Sequence, residues 1–429
     1  MKIKSKKLLI VSGDPNINDI ELKLPIIKYF VENIGNVSVW LPYFNEPNSK
    51  AQKIYIKLLK KMKVEIIIKK EFQEKFDINY FSFFNFLNNK FSFFKKIFMT
   101  ESHWISKFIL VKYLRKFILN KKISEKVKSY DYIFLCQYPE ISKQITLETI
   151  HKVAIKAKAK LYGIPDACHV KWNSNKITKY DYALLSSKNH IVDFKLHNSE
   201  LPYLVFGANH LKKEWLEYFK YEYEEDFFPN YSKKNNLLII LGKPDHFFWN
   251  GIDQEKLILD TFIKIFKTNY FVLIKPHPRD NLIRLKKILN KINYISDDKY
   301  LIIDDPINIA MNYVKHVVSF PSYGAIGPQS INKVPFLFWP LNGDYLNAIM
   351  NKKLNEPFKK SWIKKNFKNE VVTIFDDFCF SINKIDKIIN HDNNIVYDKN
   401  LSNIKKENFY EYYSIKKTSD SELRKIFEL

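Results

Sequence analysis

Glycine and cysteine are scarce in this chain of 429 residues, which contains only 9 glycines and 3 cysteines. Cys136, Cys168 and Cys379 are widely spaced, so they predict neither a disulfide framework nor a zinc ribbon, and a reducing cytosol fits them best. The spacings GxGxxG, HExxH and GxxxxGK followed by Ser or Thr are all absent. Dinucleotide oxidoreductases, zincins and P-loop ATPases therefore lose their main sequence support.

Long apolar runs are also missing, since none approaches the roughly twenty residues that a membrane-spanning helix requires. The basic N-terminus is followed by Leu8 to Gly13, an apolar run that is too short for a signal peptide and predicts a first strand instead. Together these absences predict a cytoplasmic protein.

Positive charge is abundant, because 70 Lys and Arg against 46 Asp and Glu give a formal charge of +24. Such a charge predicts an anionic partner: a membrane surface, an acidic polysaccharide, a nucleotide or nucleic acid. Lys, Asn and Ile are all frequent, as an AT-rich genome would impose, so we assign only part of the charge to a partner. Residues 71–128 mix aromatics with lysines, which is typical of helices on an anionic bilayer and also of helices packed on a sheet. Nucleic acid is the least favoured partner, because no known binding module accompanies the charge.

Short apolar runs alternate with helical patterns, which predicts parallel sheets of the α/β class. At about 150 residues per domain, the length predicts two or three domains. Pro229 interrupts a charged and aromatic stretch from 221 to 234, which we interpret as a linker. We expect an N-terminal Rossmann-like domain over 1–225 with a helical insertion at 71–128, a C-terminal Rossmann-like domain over 235–365, and helices over 366–429.

The most informative stretch is FVLIKPHPRD at residues 271–280, where four apolar residues lead into Lys275, Pro276, His277 and Arg279. It predicts a buried strand that ends in a loop, because neither proline can continue a strand ladder or a helix. In parallel α/β sheets, ligands bind beyond the carboxyl ends of the strands. We therefore predict a phosphate site here; the alternative is a surface loop of solvated charges.

Two more predicted strands end in loops suited to phosphate. The strand at 314–320 contains Ser319 and leads into Ser322, Tyr323 and Gly324, whose hydroxyl and N–H groups precede a predicted helix. The strand at 237–241 leads into Gly242 and Lys243, where a glycine lets a phosphate approach the backbone closely. Loops of this kind within one domain predict a nucleotide site.

Two acidic positions are candidates for chemistry in the first half of the chain. A predicted strand at 159–164 is followed by Asp166 and His169, where a carboxylate can act as general base or nucleophile and a histidine can orient it. The alternative is a turn aspartate that caps the next segment. Asp19 and Glu21 precede a helix expected from about Pro25 to Asn33 and complement its dipole, while Glu21 is also placed to face an acceptor.

A Lys-Pro-His-Pro loop followed by a Ser-x-x-Ser loop resembles bacterial glycosyltransferases of the GT-B fold that make capsules and lipopolysaccharide, above all the sialyltransferases and Kdo transferases. The resemblance covers residues 235–345. It implies two Rossmann-like domains with parallel sheets facing a central cleft, and C-terminal helices over 366–429 that cross back to the N-terminal domain. It also implies a nucleotide held by the His-Pro and serine motifs, and catalysis by an acidic motif of the N-terminal domain. Asp166 has the place of that motif in chain order, although the family has two adjacent acids and a glycine there.

The residues and the resemblance together predict a glycosyltransferase that moves a sugar from a nucleotide donor, of the CMP-linked sialic acid or Kdo type, onto a cell-surface glycan or glycolipid. Asp166 and His277 are the expected catalytic residues, and Asp19, Glu21 and His169 are the expected acceptor-side residues. We expect the enzyme in the cytoplasm, peripheral at the inner face of the cytoplasmic membrane.

We expect neither a metal nor a cofactor, because the Asp-x-Asp pair that usually grips a metal-bound nucleotide sugar is absent. Lys275, His277, Arg279 and the serine-loop hydroxyls would neutralise the leaving phosphate instead. Three alternatives stay open: a CDP-glycerol glycerophosphotransferase, a sugar-nucleotide epimerase of the same fold, and a noncatalytic protein that binds membrane surfaces or polysaccharides.

Overall fold

The structure is a computed structural model that describes residues 6–12, 19–41, 44, 46–68, 127–136, 158–164, 180–185, 187–188, 191, 201–231, 235–242, 253–277, 280–292, 296–320, 337–339, 380–381, 407 and 424–427. The predicted insertion at 71–128 lies outside these ranges except for its last two residues. Seven of the candidate site residues also lie outside them: Asp166, His169, Lys243, Arg279, Ser322, Tyr323 and Gly324.

The first of two parallel sheets is formed by the N-terminal half of the chain. Its strands are β1 Lys6–Val11, β2 Gly35–Leu41, β3 Glu65–Ile68, β4 Tyr132–Cys136, β5 Lys160–Ile164, β6 Tyr182–Leu185 and β7 Tyr203–Val205. They lie in the order β3-β2-β1-β4-β5-β6-β7, and every neighbouring pair is parallel. The strands β2 and β3 are therefore added on one side of β1, and β4 to β7 are added on the other side.

The second sheet repeats this plan. Its strands are β8 Asn236–Ile240, β9 Phe271–Lys275, β10 Tyr300–Ile302, β11 His316–Ser319, β12 Leu337–Trp339 and β13 Phe380–Ser381. Their order is β10-β9-β8-β11-β12-β13, again with every pair parallel. Both sheets therefore have the doubly wound arrangement of Rossmann-like domains, and the predicted α/β class is confirmed.

The helices of the described residues join consecutive parallel strands or flank the sheets. They are α1 Ile20–Asn33, α2 Lys50–Lys61, α3 Lys213–Phe227, α4 Gln254–Phe266, α5 Leu282–Leu289 and α6 Ile307–Ala310, with 3-10 turns at Asn209–Leu211, Asp297–Lys299 and Met311–Tyr313. Within the described part of the chain, no helix combines the length and the apolar character needed to cross a membrane.

The core of the second sheet explains why its central strands are so apolar. Every residue of β8 is buried, and so are the three middle residues of β9. Helices α4 and α5 cover one face through the buried side chains of Ile258, Phe262, Leu285 and Ile288. A parallel strand that is buried on both faces carries a continuous apolar run instead of an alternating one, which is the pattern that the sequence shows.

Contacts between Cα atoms divide the chain into two compact units. One contains Met1–Asn48, Gln52–His210 and Lys417–Leu429, and the other contains Ser49–Ala51 and Leu211–Lys416. The C-terminal residues of the first unit are anchored by aromatic side chains. Phe427 packs edge-on against Phe30 and Tyr132, and the hydroxyls of Tyr132 and Tyr162 donate to the carbonyls of Phe427 and Ile426 at 3.1 and 2.6 Å.

Helix α1 begins earlier than the sequence pattern predicts. Its first residue is Ile20, so Pro25, the expected start, lies inside the helix. The first four N–H groups of a helix have no acceptor within it, and Pro25 comes soon after them, so it removes only the bond to the carbonyl of Glu21. Burial of seven α1 residues, among them Ile20, Leu24 and Ile27, offsets that loss.

Two other local expectations also differ from the structure. The stretch interpreted as a linker from residue 221 is helical as far as Phe227, because Trp215, Phe219 and Tyr223 recur at helical spacing and are buried on one face of α3. The short strand β13 lies in the segment expected to be purely helical, and its two residues pair with β12. Two residues are too few to produce a readable periodicity.

Candidate active site at the carboxyl edge of the second sheet

The predicted anion-binding residues within the described ranges share one edge of the second sheet. Ile240 at the end of β8 pairs with Lys275 of β9 on one side and with Ser319 of β11 on the other. Because all these strands are parallel, their carboxyl ends lie together. Lys275 and Ser319 are the last residues of β9 and β11, and Gly242 and His277 follow β8 and β9. Four of the expected site residues therefore lie at or just beyond the carboxyl ends of three neighbouring strands.

Lys275 is a half-buried cation at this edge, and its Nζ donates to the carbonyl oxygen of Asp304 at 2.9 Å. Burial lowers the pKa of its ammonium group to about 8, although the carboxylates of Asp304 and Asp305 attract the charge; Lys50 adds a repulsion. The charged form is therefore retained at neutral pH but is poorly solvated. A phosphate beside Lys275 would add a further counter-charge at this partly dry position and favour the ammonium form.

Asp305, three residues beyond the end of β10, is engaged in a buried network. Its side chain is 3% exposed and accepts hydrogen bonds from the hydroxyl of Tyr223 and from Nζ of Lys50, the latter at 2.9 Å. Burial and the bond to Asp305 both raise the pKa of the Tyr223 hydroxyl, so it remains a donor. Asp305 thus fastens α3 to the edge of the sheet.

The chain turns sharply after β9. Pro276 and His277 are half-buried, and the carbonyl of His277 accepts the N–H of Asp280 at 2.8 Å. The carboxylate of Asp280 accepts the N–H of Asn281 at 2.8 Å, and Asn281 in turn caps α5 by accepting the N–H of Ile283 at 2.9 Å. The described ends of the Lys-Pro-His-Pro loop are therefore fixed by backbone hydrogen bonds, as its prolines suggest.

Ser319 is placed differently from an exposed binding residue. Its side chain is fully buried, and its hydroxyl donates to the carbonyl of Phe320 at 2.8 Å. Contact between this hydroxyl and a ligand would require the bond to Phe320 to be exchanged. A role of Ser319 in donor binding stays a prediction.

The two acids of the first βα loop have distinct surroundings in the first unit. Asp19 accepts a hydrogen bond from the hydroxyl of Ser12 and forms an ion pair with Nζ of Lys23 at 2.5 Å. The side chain of Asp19 is 2% exposed and that of Lys23 is 0% exposed. Glu21 is half-buried and accepts from the hydroxyl of Tyr55 at 3.1 Å. Of the two, Glu21 is the more accessible, so an acceptor-side role remains a prediction that suits Glu21 better than Asp19.

Two ion pairs went unrecognised in the sequence, although both have the i,i+4 spacing that places side chains on one helix face. One is Asp19 with Lys23, and the other is Asp280 with Arg284. Asp305 and Tyr223 carry no comparable signal, because 82 residues separate them. Among the described residues, no group of three or more His, Cys, Asp or Glu side chains is arranged to hold a metal ion.

Because the pKa of Lys275 is lowered, we expect nucleotide affinity to depend on pH. Binding of a phosphate should raise this pKa, so above about pH 8 binding requires uptake of a proton, and affinity for CMP or UDP should fall by up to about tenfold per pH unit. Calorimetric titrations at pH 7, 8 and 9 measure this slope. Lys275→Met should bind more weakly at pH 7 and lose the slope, and a wild-type slope equal to that of the variant would contradict the assignment.

Comparisons with known proteins find likeness in structure alone. No family model matches the chain, and no curated protein matches its sequence. A glycosyltransferase from Rickettsia africae is similar, with a TM-score of 0.51 at 13% identity, over 99% of this chain and 97% of that one. UGT89C1 from Arabidopsis thaliana, complexed with UDP-L-rhamnose, is similar with a TM-score of 0.53 at 11% identity, over 99% and 98% of the two chains.

A third similar structure is the UDP-GlcNAc 2-epimerase from Neisseria meningitidis bound to UDP-GlcNAc, with a TM-score of 0.50 at 11% identity, over 99% of this chain and 98% of that one. At identities this low, the similarity shows a shared fold alone. The chain therefore has the two-sheet α/β fold that GT-B glycosyltransferases and UDP-GlcNAc 2-epimerases share.

Proposed function

We propose that this protein is a glycosyltransferase that takes a sugar from a nucleotide donor and transfers it to a cell-surface glycan or glycolipid. The observation that carries the proposal is the placement of Lys275 and His277 at the carboxyl end of an interior parallel strand, beside the end of the adjoining strand that Gly242 follows. Ligands of doubly wound sheets bind at this edge. Similar structures that hold UDP-L-rhamnose and UDP-GlcNAc support a nucleotide sugar as the ligand.

The chemistry follows from the charges at this edge. When the sugar leaves, negative charge develops on the nucleotide phosphate, and cationic or hydrogen-bonding groups placed there stabilise that charge. Lys275 and His277 supply such groups, and Arg279 and Ser322 are proposed to join them from outside the described ranges. Asp166 is proposed to deprotonate the acceptor hydroxyl. In this scheme protein cations replace a metal, and the reaction needs no cofactor.

Two observations support different nucleobases for the donor, cytosine and uracil. The Lys-Pro-His-Pro and serine motifs resemble those of enzymes that use CMP-linked sugars of the sialic acid or Kdo type, whereas UDP sugars are bound in two of the similar structures. We keep CMP as the first proposal, because it rests on residues of this chain. Calorimetry with CMP and with UDP compares the two directly.

Epimerisation is the second candidate, favoured by the UDP-GlcNAc 2-epimerase with the same fold. An epimerase inverts one carbon of the sugar of a sugar nucleotide, so it needs no acceptor. Incubation with UDP-GlcNAc alone, followed by NMR of the sugar, would reveal this reaction. Release of nucleotide only when an acceptor glycan is added would favour the transferase, and CDP-glycerol consumption would favour a glycerophosphotransferase.

The decisive experiment is nucleotide binding followed by turnover. The enzyme should bind CMP or UDP in the micromolar to millimolar range, and it should consume the corresponding sugar nucleotide in the presence of bacterial surface glycans with EDTA added. A noncatalytic surface-binding protein would bind neither nucleotide. Activity that disappears with EDTA and returns with magnesium or manganese would overturn the metal-independent scheme.

His277→Ala should weaken nucleotide binding or the chemical step by about 1 to 3 kcal/mol, the loss of one charge-assisted hydrogen bond to a phosphate. Calorimetry and initial rates separate the two effects. Lys286→Ala is a suitable control, because Lys286 is an exposed cation on α5, a short distance along the chain from His277. Unaltered affinity and unaltered turnover in His277→Ala would remove His277 from the site.

A further inference from the structure

Arg284 joins two structural elements that border the proposed donor site. It lies in the first turn of α5, where its Nη2 is 3.2 Å from Oδ1 of Asp280 and its Nη1 donates to Oε1 of Gln254 at 2.7 Å. Asp280 is 2% exposed at its side chain, Gln254 is buried, and Arg284 itself is 23% exposed. The two ends of one guanidinium group thus bridge an acid and an amide that are 26 residues apart in the chain.

The acid end of this bridge controls the turn that carries His277. Asp280 donates its N–H to the carbonyl of His277 at 2.8 Å, and its carboxylate is held by Arg284 and by the N–H of Asn281. Any movement of Asp280 would therefore change the path of the chain at His277. The ion pair of Arg284 with Asp280 therefore restrains this path.

The amide end of the bridge fixes the start of α4. Gln254 is the first residue of this helix, and the preceding Asp253 caps it by accepting the N–H of Lys256 at 3.0 Å. The preceding strand along the chain is β8, which ends at Ile240, two residues before Gly242. One side chain thereby sets the distance between the beginning of α4 and the His277 turn.

We infer that Arg284 is a positioning residue of the donor site, which holds the His277 turn at a fixed distance from the start of α4. The inference rests on the proposed function. A guanidinium group suits this task because its planar fork bonds two partners in a fixed geometry, whereas the ammonium group of a lysine is a point charge on a flexible stem. Small displacements of groups that contact a ligand are costly to binding and catalysis.

The pair of Lys291 and Glu255 provides a matched control. Lys291, two residues after the end of α5, lies 3.9 Å from Glu255 in the first turn of α4, and both side chains are about half exposed. Among the described residues, neither of the two bonds the His277 turn. Lys291→Met therefore removes a second connection to the first turn of α4, from the segment just after α5, without touching the Arg284 bridge. Ile288→Val, in the buried face of α5, provides a second control for loss of stability alone.

The test compares Arg284→Met, Arg284→Lys, Lys291→Met and Ile288→Val in the full-length protein. CMP and UDP affinities are measured by calorimetry well below each melting temperature, and amide exchange of Asp280 is followed by NMR without ligand. Arg284→Met should lose nucleotide affinity by about tenfold or more and exchange the Asp280 amide faster. Arg284→Lys should lie between it and the wild type, while both controls should bind within about twofold of the wild type.

The variants distinguish a positioning role of Arg284 from a contribution to general stability. Wild-type affinity and wild-type exchange in Arg284→Met would overturn the positioning role and leave the proposed function standing. An equal loss of affinity in Ile288→Val at a matched melting temperature would reduce the role of Arg284 to general stability. A wild-type protein that binds neither nucleotide would overturn the proposed function and the positioning role with it.

Discussion

Asp166→Asn is expected to lower turnover by about 10² to 10⁴ while donor binding and folding persist. The substitution keeps the size of the side chain and its hydrogen bonding but removes its basicity. Asp166 follows β5, which ends at Ile164, and β5 is a parallel strand near the middle of the first sheet. A carboxylate that follows such a strand is suited to act on an acceptor hydroxyl. Donor consumption, nucleotide titration and thermal melting of one purified variant measure the three properties.

Asp181→Asn is the matched control for this experiment. Asp181 precedes β6 and accepts the N–H of Leu161 at 2.6 Å, so it is an acid with a local structural task near the opposite end of the same sheet. Its replacement should reduce stability by about 1 kcal/mol and leave turnover nearly unchanged. If Asp166→Asn behaves like Asp181→Asn, Asp166 is a turn residue, and Glu21 becomes the next acid to examine.

Asp19→Asn should reduce the free energy of unfolding by about 3 to 5 kcal/mol, because it leaves the buried ammonium group of Lys23 without its counter-charge. Both side chains lie inside the first unit, at 2% and 0% exposure, with their charged atoms 2.5 Å apart. The hydroxyl of Ser12 also loses an anionic acceptor. Urea unfolding measures the change in free energy.

Glu32→Gln is the control on the same helix. Lys28 and Glu32 have the same i,i+4 spacing at 3.9 Å, but their side chains are 41% and 58% exposed, so removal of this pair should cost at most about 0.5 kcal/mol. The double variant Asp19→Leu with Lys23→Met should recover much of the loss, since apolar side chains of similar volume often replace a buried ion pair without penalty. Equal losses of unfolding free energy in Asp19→Asn and Glu32→Gln would show that the buried ion pair contributes no more to stability than the exposed one.

The sequence predicts the regular parts of this fold well where local signals agree. The strands predicted at 159–164 and 237–241 agree to within one residue at each end with β5, Lys160–Ile164, and β8, Asn236–Ile240. Asp253 is a good N-cap that precedes a regular apolar period in α4, so propensity, capping and burial all specify the same helix. Parallel pairing followed from the strand–helix rhythm in the same way.

The site is less predictable, because chain order reveals which residues follow a strand but not which side chains meet. Gly242, Lys275 and His277 could be assigned to one edge from strand ends alone. Burial of Ser319 and the engagement of Asp305 by Tyr223 depend on contacts between distant segments, which no local pattern encodes. The early start of α1 was hidden by Pro25, because a proline is a common sign of a helix beginning.

The contacts of Ile426 and Phe427 with β4 and β5 have a consequence for protein synthesis. Tyr132 bonds a residue that is 295 positions later in the chain. At a translation rate of about 5 to 20 residues per second, β4 leaves the ribosome roughly 15 to 60 s before its aromatic partner exists. During that interval Phe30, Tyr132 and Phe134 lack the ring of Phe427 that packs against them in the folded unit. The nascent chain therefore offers chaperones a temporary aromatic surface, which closes only after residues 426 and 427 have emerged.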